Sequence, residues 1–465
     1  MSTAAVEQRL PRERLLVAPA LALAASAAFL LGRAIPDISG KPWHEDEAVA
    51  GLIAARPLGD LLHTVVLDRG GAPLHFLLAH AAFAVDGSSS TLRWLSLVFA
   101  VATIPLCYDL ARRVSGQFAG LTAAALAATS QLLAIYATFG RMYSLFAFST
   151  ALALDLFVRA LDRPTRGTLA AATVAALLPL AIHPFGVFIF AAEAAVALWH
   201  WRIRALPAAA LAVPVVLPYL RLGGRYDPNV GMSAPDAALR ALGGSAGGYG
   251  FSLAIFAALA LIGIWALPRA FAALGLLVVV LPPIVLATLT ADRLSPRHLI
   301  FVLPVWTTFV AAGLARLPFR VVVAAAAVAL ATLAPAAVAD PRTSTSDPAS
   351  AATWVREHVR SGDALYPYSP VFLAALPQTA VAQALPREPV ALERLLRRTH
   401  ATRRTLVAIP TGRMWKIIQV PGPFTNVPRA LARAAPKLHG VARAAALQLY
   451  ATSTEGTSPH RSSSR

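Results

Sequence analysis

The feature that most constrains this chain is a succession of apolar stretches, each close to bilayer-crossing length, filling its first 340 residues. A hydrocarbon core of about 30 Å takes about 20 helical residues to cross. With 57% hydrophobic and 14% charged residues and a mean hydropathy of +0.62, the 465-residue sequence does not describe a water-soluble globule. Backbone polar groups in lipid must be satisfied within their own segment, so the expected fold class is an all-α polytopic membrane protein. Spans are expected over 15–32, 91–111, 117–137, 142–160, 168–183, 184–199, 205–220, 250–267, 271–289, 298–315 and 320–338, eleven in all. The first follows Arg9, Arg12 and Arg14 in the manner of a signal peptide, but more spans come after it, and it is expected to be a retained helix.

Charge orients these spans. The formal balance is +18, yet the 41 basic residues, nearly all arginine, sit between the apolar runs and form no single patch. That pattern argues against a nucleic-acid partner and reads as topology signals and headgroup contacts. With a cytoplasmic N-terminus, Arg112 with Arg113, Arg163 with Arg166, Arg202 with Arg204, Arg269, and Arg316 with Arg320 all fall inside. The stretch 72–86 amounts to only about 22 Å of helix. Counting it as a span would invert every later loop, so it is expected to lie oblique or juxtamembrane. The outer face then carries loop 33–90, the junction around Arg141, the helix end at His183, loops 221–249 and 290–298, and everything after about 340.

Composition shifts at that point. Residues 341–350 read as a linker, and 341–451 as a small extracytoplasmic α/β domain with helices over 352–360 and 390–398 and strands over 363–368 and 405–410. The Ser-rich tail 452–465 is expected to be disordered. Cys107, the sole cysteine, falls in an apolar run, which excludes disulfides and cysteine metal sites and suggests a buried structural thiol. Gly223, Gly224, Gly231, Gly243, Gly244, Gly247 and Gly248 make loop 221–249 either a flexible lid or a loose connector.

Chemistry-bearing residues gather on the outer face. Glu45, Asp46 and Glu47 follow Trp43 and His44 in a chain of only 23 acids. At a helix start Asp46 and Glu47 point about 100° apart, so they divide labour: one accepts a proton from a hydroxyl, while others bind a cation, orient a sugar or cap the helix. Simple N-terminal helix acids would look the same. His75 and His80, five apart, are poorly spaced for a metal and fit interfacial histidines as well. Arg141 and Tyr143 interrupt apolar sequence, where an arginine either faces a cavity or snorkels to headgroups. Arg293, Arg297 and His298 concentrate three cations before a helix begun by Pro296, suiting a lipid phosphate or, alternatively, headgroup anchoring. His183 with Pro184 breaks one apolar run in two, and its histidine is placed to line the same cavity. Dinucleotide fingerprints, phosphate-binding loops, GxSxG elbows and HExxH are absent from the sequence.

These residues resemble the GT-C integral-membrane glycosyltransferases, in particular bacterial family-39-like relatives of the protein O-mannosyltransferases and lipid A aminoarabinose transferases. The likeness rests on Asp46-Glu47 after the first helix and on Ala72-Pro73-Leu74-His75-Phe76. It continues through Ser90-Thr91-Leu92-Arg93-Trp94-Leu95-Ser96, Tyr136-Ala137-Thr138-Phe139-Gly140-Arg141-Met142-Tyr143 and Ser295-Pro296-Arg297-His298-Leu299. Order and spacing hold over about residues 1–315. The resemblance implies a GT-C fold, a polyprenyl-phosphate sugar donor, an extracytoplasmic active site in a bacterial plasma membrane, and inversion at the anomeric carbon. It implies Asp46 as general base with Glu47 supporting it, and Arg141 and Arg297 near the donor phosphate. The acceptor would be a glycan, lipid or protein.

Two departures touch positions that bear on metal binding in some relatives: Phe139-Gly140 where an acid often precedes the arginine, and Gly71-Ala72-Pro73 in place of His-Pro-Pro. They argue against a divalent-metal requirement, with His75 as the substitute ligand if one exists. The rival reading is a polytopic transporter or flippase for a lipid-linked or anionic solute, although paired repeats are not evident in the sequence.

Overall fold

The computed structural model describes residues 12–41, 44–68, 72–86, 88–202, 232–289 and 294–344, and five strands beyond them at 364–367, 381–382, 405–410, 438–444 and 447–452. The chain divides into two compact units. The first comprises residues 1–40, 57–227 and 231–339, and the second residues 41–56, 228–230 and 340–465.

The first unit is a helical bundle. Its described helices are α1 (Arg12–Gly40), α3 (Leu58–Asp68), α4 (Leu74–Phe83), α5 (Ser89–Ser115), α6 (Gln117–Thr129), α7 (Gln131–Ala137), α8 (Tyr143–Asp162), α9 (Arg166–Ile182), α10 (Gly186–Trp201), α11 (Ala234–Ser245), α12 (Phe251–Ala266), α13 (Arg269–Leu289), α14 (Leu303–Leu314) and α15 (Arg320–Leu333), with α2 (Glu45–Ala54) in the other unit. A 3₁₀ segment, Pro296–Val302, leads into α14. Among the described residues five helical stretches are long and apolar enough to cross a membrane: Ala18–Ser39, Ser90–Ser115, Tyr143–Asp162, Arg269–Thr288 and Pro296–Leu314. Shorter apolar helices, including α9, α10, α12 and α15, fill out a multi-pass membrane protein. Every segment read from the sequence as a span falls on helix except 205–220, which lies outside the described residues. Helix α4 is a ten-residue helix, too short to cross perpendicularly.

Two expectations change. The stretch 117–137 is not one rod: α6 and α7 meet at Ser130 with a 56° bend. Ser130 is the cause, because its hydroxyl caps α7 by accepting from Leu133 N at 3.1 Å and donates to Gly244 O at 2.9 Å. Nor is loop 221–249 wholly irregular. Ser233 caps α11, and Gly243 and Gly244 lie buried inside that helix, where a side chain on Gly244 would meet Val338 at 2.7 Å. These glycines permit close packing, which is a role opposite to flexibility; Gly223, Gly224 and Gly231 lie outside the described residues.

Helix α14 is the axis of the bundle. All of its residues are buried, and it packs against α5, α6, α11 and α12. Lipid supplies no hydrophobic drive between helices, so tight van der Waals approach must hold them, and small residues allow it. Gly263 of α12 and Gly313 of α14 are reciprocal: a Cβ on Gly263 would lie 1.9 Å from Phe309 O, and one on Gly313 1.9 Å from Leu259 O. Cys107 is buried in α5 as a free thiol. The C-terminal end of α1 is tied down by Arg93, 2% exposed, whose guanidinium donates to Ile38 O at 2.8 Å and Asp37 O at 3.4 Å.

In the second unit the five strands form one sheet of order β2-β1-β3-β5-β4, with β1 (Ala364–Pro367), β2 (Val381–Ala382), β3 (Thr405–Pro410), β4 (Leu438–Ala444) and β5 (Leu447–Thr452). Strands β1, β2 and β3 run parallel, and β5 pairs antiparallel with β3 and β4. The strands expected at 363–368 and 405–410 are β1 and β3, whereas the helices expected over 352–360 and 390–398 lie outside the described residues. Lys41 and Asp340 of this unit form an ion pair at 2.7 Å, and Arg342 also binds Asp340, at 2.9 Å. Together these cations hold the Asp340 carboxyl down at about 2 despite its partial burial.

Forcing a side chain into the α12–α14 crossing tests this packing. Gly263→Ala should lower stability by about 1–3 kcal/mol, the cost of overpacking, in a detergent-micelle unfolding titration. Gly32→Ala, where a Cβ meets nothing within 4 Å, should be neutral.

Candidate functional site

Five breaks in the helical pattern carry the candidate residues. The first opens α2 in the second unit. His44 is the N-cap: its Nδ1 accepts from Asp46 N at 3.1 Å, while Glu47 Oε2 accepts from His44 N at 3.0 Å. This reciprocal box satisfies two of the amides that a helix start leaves open. Glu47 is therefore 2% exposed and committed to the backbone. Asp46 is only half-buried, with its side chain 27% exposed and Oδ2 3.8 Å from His44 Nδ1. Glu47 thus holds the turn, while Asp46, one position earlier, keeps about a quarter of its side chain exposed.

The other four breaks lie in the first unit and converge. Between α7 and α8 the chain turns through 138–142, held by Ser96 Oγ donating to Phe139 O at 2.8 Å and by Ser144 Oγ donating to Tyr136 O at 2.6 Å. That turn places Arg141, 9% exposed, beside Tyr143, the first residue of α8. Between α9 and α10, His183 is extended and Gly186 N returns to His183 O at 2.8 Å. A Cβ at Gly186 would sit 2.3 Å from the Pro179 carbonyl carbon, so only glycine closes this turn. Ahead of α14, Ser295 and Pro296 begin the 3₁₀ segment that carries Arg297 and His298. His75 lies in the first turn of α4, which packs on α5 and α9.

Aromatic contacts bring these pieces together. The Tyr143 ring lies 6.3 Å from His183 and 6.2 Å from His298, the two imidazoles are 5.8 Å apart, and the Arg297 guanidinium sits 5.6 Å over Tyr143. Phe146 stacks on His183 at 5.1 Å, and Phe185 contacts both histidines. These two phenylalanines have no distinguishing signal in a sequence rich in apolar residues. Ser96 and Ser144 do leave one, as hydroxyls within apolar runs beside a break. Arg293 lies outside the described residues.

The electrostatics favour an anion. Burial, reinforced by the Arg141 charge, takes the His75 imidazole down to about 3. His183 falls to about 3 through burial and the charges of Arg141 and Arg297. Both rings are neutral at ordinary pH, and the positive charge resides on the guanidinium groups. Nδ1 of His183 accepts from Phe185 N at 3.1 Å, and Nδ1 of His298 accepts from Ser295 N at 3.3 Å. An accepting Nδ1 leaves the neutral ring's proton on Nε2, so each ring has an N–H directed away from its own backbone. His75 Nε2 is buried without a hydrogen-bond partner. Two guanidinium groups, two imidazoles and a phenol are the donor types that suit phosphate oxygens. Among the described residues no group of three or more His, Cys, Asp or Glu is placed to hold a metal ion.

No protein-family model matches this chain, and no curated protein matches it significantly. Solved structures do match it. ArnT from Cupriavidus metallidurans bound to undecaprenyl phosphate superposes with a TM-score of 0.64 at 13% identity, covering 95% of this chain and 99% of that one. The Archaeoglobus fulgidus oligosaccharyltransferase in its apo form gives 0.55 at 14% identity, covering 86% of this chain and 71% of that one. The mycobacterial arabinofuranosyltransferase AftD gives 0.52 at 16% identity, covering 96% of this chain but only 40% of that one. All three are GT-C glycosyltransferases, and this chain has a GT-C-like fold.

The buried neutral histidines set a pH dependence. An unfolded imidazole titrates near pH 6.5, whereas folded His75 and His183 resist protonation down to about 3. Between those limits the unfolded chain binds protons that the folded chain excludes, so stability falls as pH is lowered from 6.5. The slope approaches about 1.4 kcal/mol per pH unit for each histidine. Thermal unfolding at pH 7.5, 6.5, 5.5 and 5.0 should show that decline, made shallower by His183→Gln. An unchanged slope in the variant would mean that His183 titrates freely in the fold.

Proposed function

We propose that this protein is a membrane glycosyltransferase that moves a sugar from a polyprenyl-phosphate donor to a hydroxyl of an extracytoplasmic glycan, lipid or protein acceptor. The observation that carries the reading is the convergence of Arg141, Tyr143, His183, Arg297 and His298 from separate helix breaks into one partly buried, donor-rich cluster within a GT-C-like bundle. The structure of ArnT bound to undecaprenyl phosphate supports a lipid phosphate as the anion for which such a site is suited.

Asp46 acts as general base in this mechanism. Its carboxylate takes the proton from the acceptor hydroxyl as the acceptor oxygen bonds to the anomeric carbon. The bond from that carbon to the phosphate oxygen breaks on the opposite side, which inverts the centre. Polyprenyl phosphate leaves with the electron pair, and Arg141 and Arg297 stabilise the charge that develops on it. His183 and His298 donate from Nε2 to the phosphate oxygens, and Tyr143 holds Arg297 in place. Glu47 supports the base by fixing the turn on which Asp46 rides. No nucleotide site is required, because the donor arrives activated, and no step needs a divalent ion. We place the N-terminus in the cytoplasm of a bacterial cell and the site outside, together with an α/β domain over 341–451 and the tail 452–465.

Sugar transfer from a polyprenyl-phosphate donor, measured in membranes carrying the full chain, tests the assignment. Asp46→Asn should lower kcat by about 10²–10⁴-fold, the usual loss on removing a general base, with little change in donor KM or thermal stability. Arg297→Gln should raise the donor KM and lower kcat together, since it touches the phosphate in both ground and transition states. Full activity in Asp46→Asn would eliminate Asp46 as base.

A further inference from the structure

The far end of the first unit carries a second cationic site. Ser96 of α5 lies against the Arg141 turn, and Arg112 of the same helix is about 24 Å farther along its axis. There the α5–α6 turn and the α14–α15 turn border an open cavity of about 630 Å³, lined by Arg112, Arg113, Gln117, Phe118, Arg316 and Arg320 among others. That volume falls within the range of about 300–1,000 Å³ common for small-ligand sites.

Its arginines are organised from behind. Asp109 receives Arg113 Nη2 at 2.8 Å and Arg159 Nη2 at 2.7 Å, and it also pairs with Arg112. Asp155, fully buried, receives Arg113 Nε at 3.1 Å and Arg159 Nη2 at 2.7 Å. The two acids lie inward and fix these side chains, while Arg112 and Arg159 keep about two-fifths of their surface exposed. Arg316 is tethered through Nη2 to Ala266 O at 3.3 Å, and Arg320 lies 5.1 Å over the Phe118 ring. Three guanidinium groups, of Arg112, Arg113 and Arg159, thus contact two carboxylates, and Arg316 and Arg320 at the cavity add two further positive charges, which leaves an excess of positive charge. Two helix starts add to it: the N-cap of α6 is Gly116, with φ of +90°, and that of α15 is Phe319, and neither start has a side-chain cap. Their open amides and positive dipole ends face the same neighbourhood.

The surroundings indicate what brings the anion. Phe319, Val321 and Val322 are 84%, 68% and 69% exposed, forming an apolar surface that runs directly up to Arg320. Acyl chains fit that surface, and a phosphate at their head reaches the cavity. We propose that this cavity is a binding site for the phosphate headgroup of an anionic membrane lipid, separate from the candidate active site and, in the orientation proposed above, on the cytoplasmic leaflet.

Native mass spectrometry of the full chain in micelles doped with phosphatidylglycerol or phosphatidylcholine tests it. Wild type should retain the anionic lipid in preference to the zwitterionic one. The exposed pair Arg316→Ala with Arg320→Ala should weaken that retention by roughly ten- to thirty-fold, the loss expected for two basic side chains. Arg316→Lys with Arg320→Lys should keep most of it. Should the alanine pair fail to fold, wild type alone still decides: raising salt from 0.05 to 0.5 M should strip the anionic lipid. Inorganic phosphate is the second probe, read by thermal shift. A response to phosphate without any preference for the anionic lipid would overturn the lipid assignment. Equal retention of the two lipids with no response to phosphate, or undiminished binding in the alanine pair, would overturn the site itself.

Discussion

Every backbone amide and carbonyl inside a hydrocarbon layer must find a partner within the protein, because water is not there to replace it. An uninterrupted helix meets that demand alone, and an interrupted one needs help from side chains. The bundle shows where the help comes from. Ser96 and Ser144 satisfy the carbonyls freed between α7 and α8, and Ser130 caps α7 at the α6–α7 bend while donating to Gly244 O of α11. Gln131 donates to Ala334 O at 3.2 Å and accepts from Ala337 N at 2.9 Å where α15 ends. Trp306 Nε1 reaches Ala246 O at 3.0 Å just beyond α11. Each of these breaks is matched by a polar side chain from a neighbouring element or from an adjoining turn.

Those breaks are also where the candidate site residues sit. Arg141, His183, Arg297 and His298 all lie outside regular α-helix, at turns whose backbone is already accounted for. The economy is physical: a turn held by serine hydroxyls is fixed by the fold, so the donors it carries are placed in advance, as the proposed anion site requires. The same logic extends to the histidine tautomers. A backbone N–H donating to Nδ1 fixes the proton on Nε2 at His183 and His298 without the use of another side chain. At the opposite end of the rods the solution differs. There Asp109 and Asp155 neutralise part of an arginine cluster, and the helix ends α6 and α15 remain uncapped.

Much of this was legible in the sequence, for identifiable reasons. Apolar runs near twenty residues mark helices whatever their partners, and Arg141, Arg297 and His183 stood out because polar groups inside such runs are costly unless used. The bend at Ser130 was not legible, since a serine amid alanines reads as tolerated in a continuous helix and only its bond to distant Gly244 reveals the cap. Helix α11 was hidden by its glycines, whose composition suggests a loop although their role is close approach to Val338 and Gly248. Strands β4 and β5 pair with each other and with β3, a non-local arrangement that their mixed Arg- and Ala-containing sequence does not announce. Phe146 and Phe185 were indistinguishable from lipid-facing neighbours until the histidines were seen against them.

The acid cluster is where sequence and structure together say more than either alone. Three adjacent carboxylates invite a shared role, but the capping box assigns Glu47 to the backbone of His44 and leaves Asp46 half-exposed one position earlier. A carboxylate at the positive end of a helix is held ionised by the open amides and the dipole beside it. That suits the proposed chemistry in one specific respect. With a phosphate as leaving group, the barrier lies mainly in breaking the anomeric carbon–oxygen bond, and stabilising the departing charge falls to the arginines. The proposed base then needs to be ionised more than it needs to be strong, and a carboxylate of ordinary acidity is ionised at neutral pH.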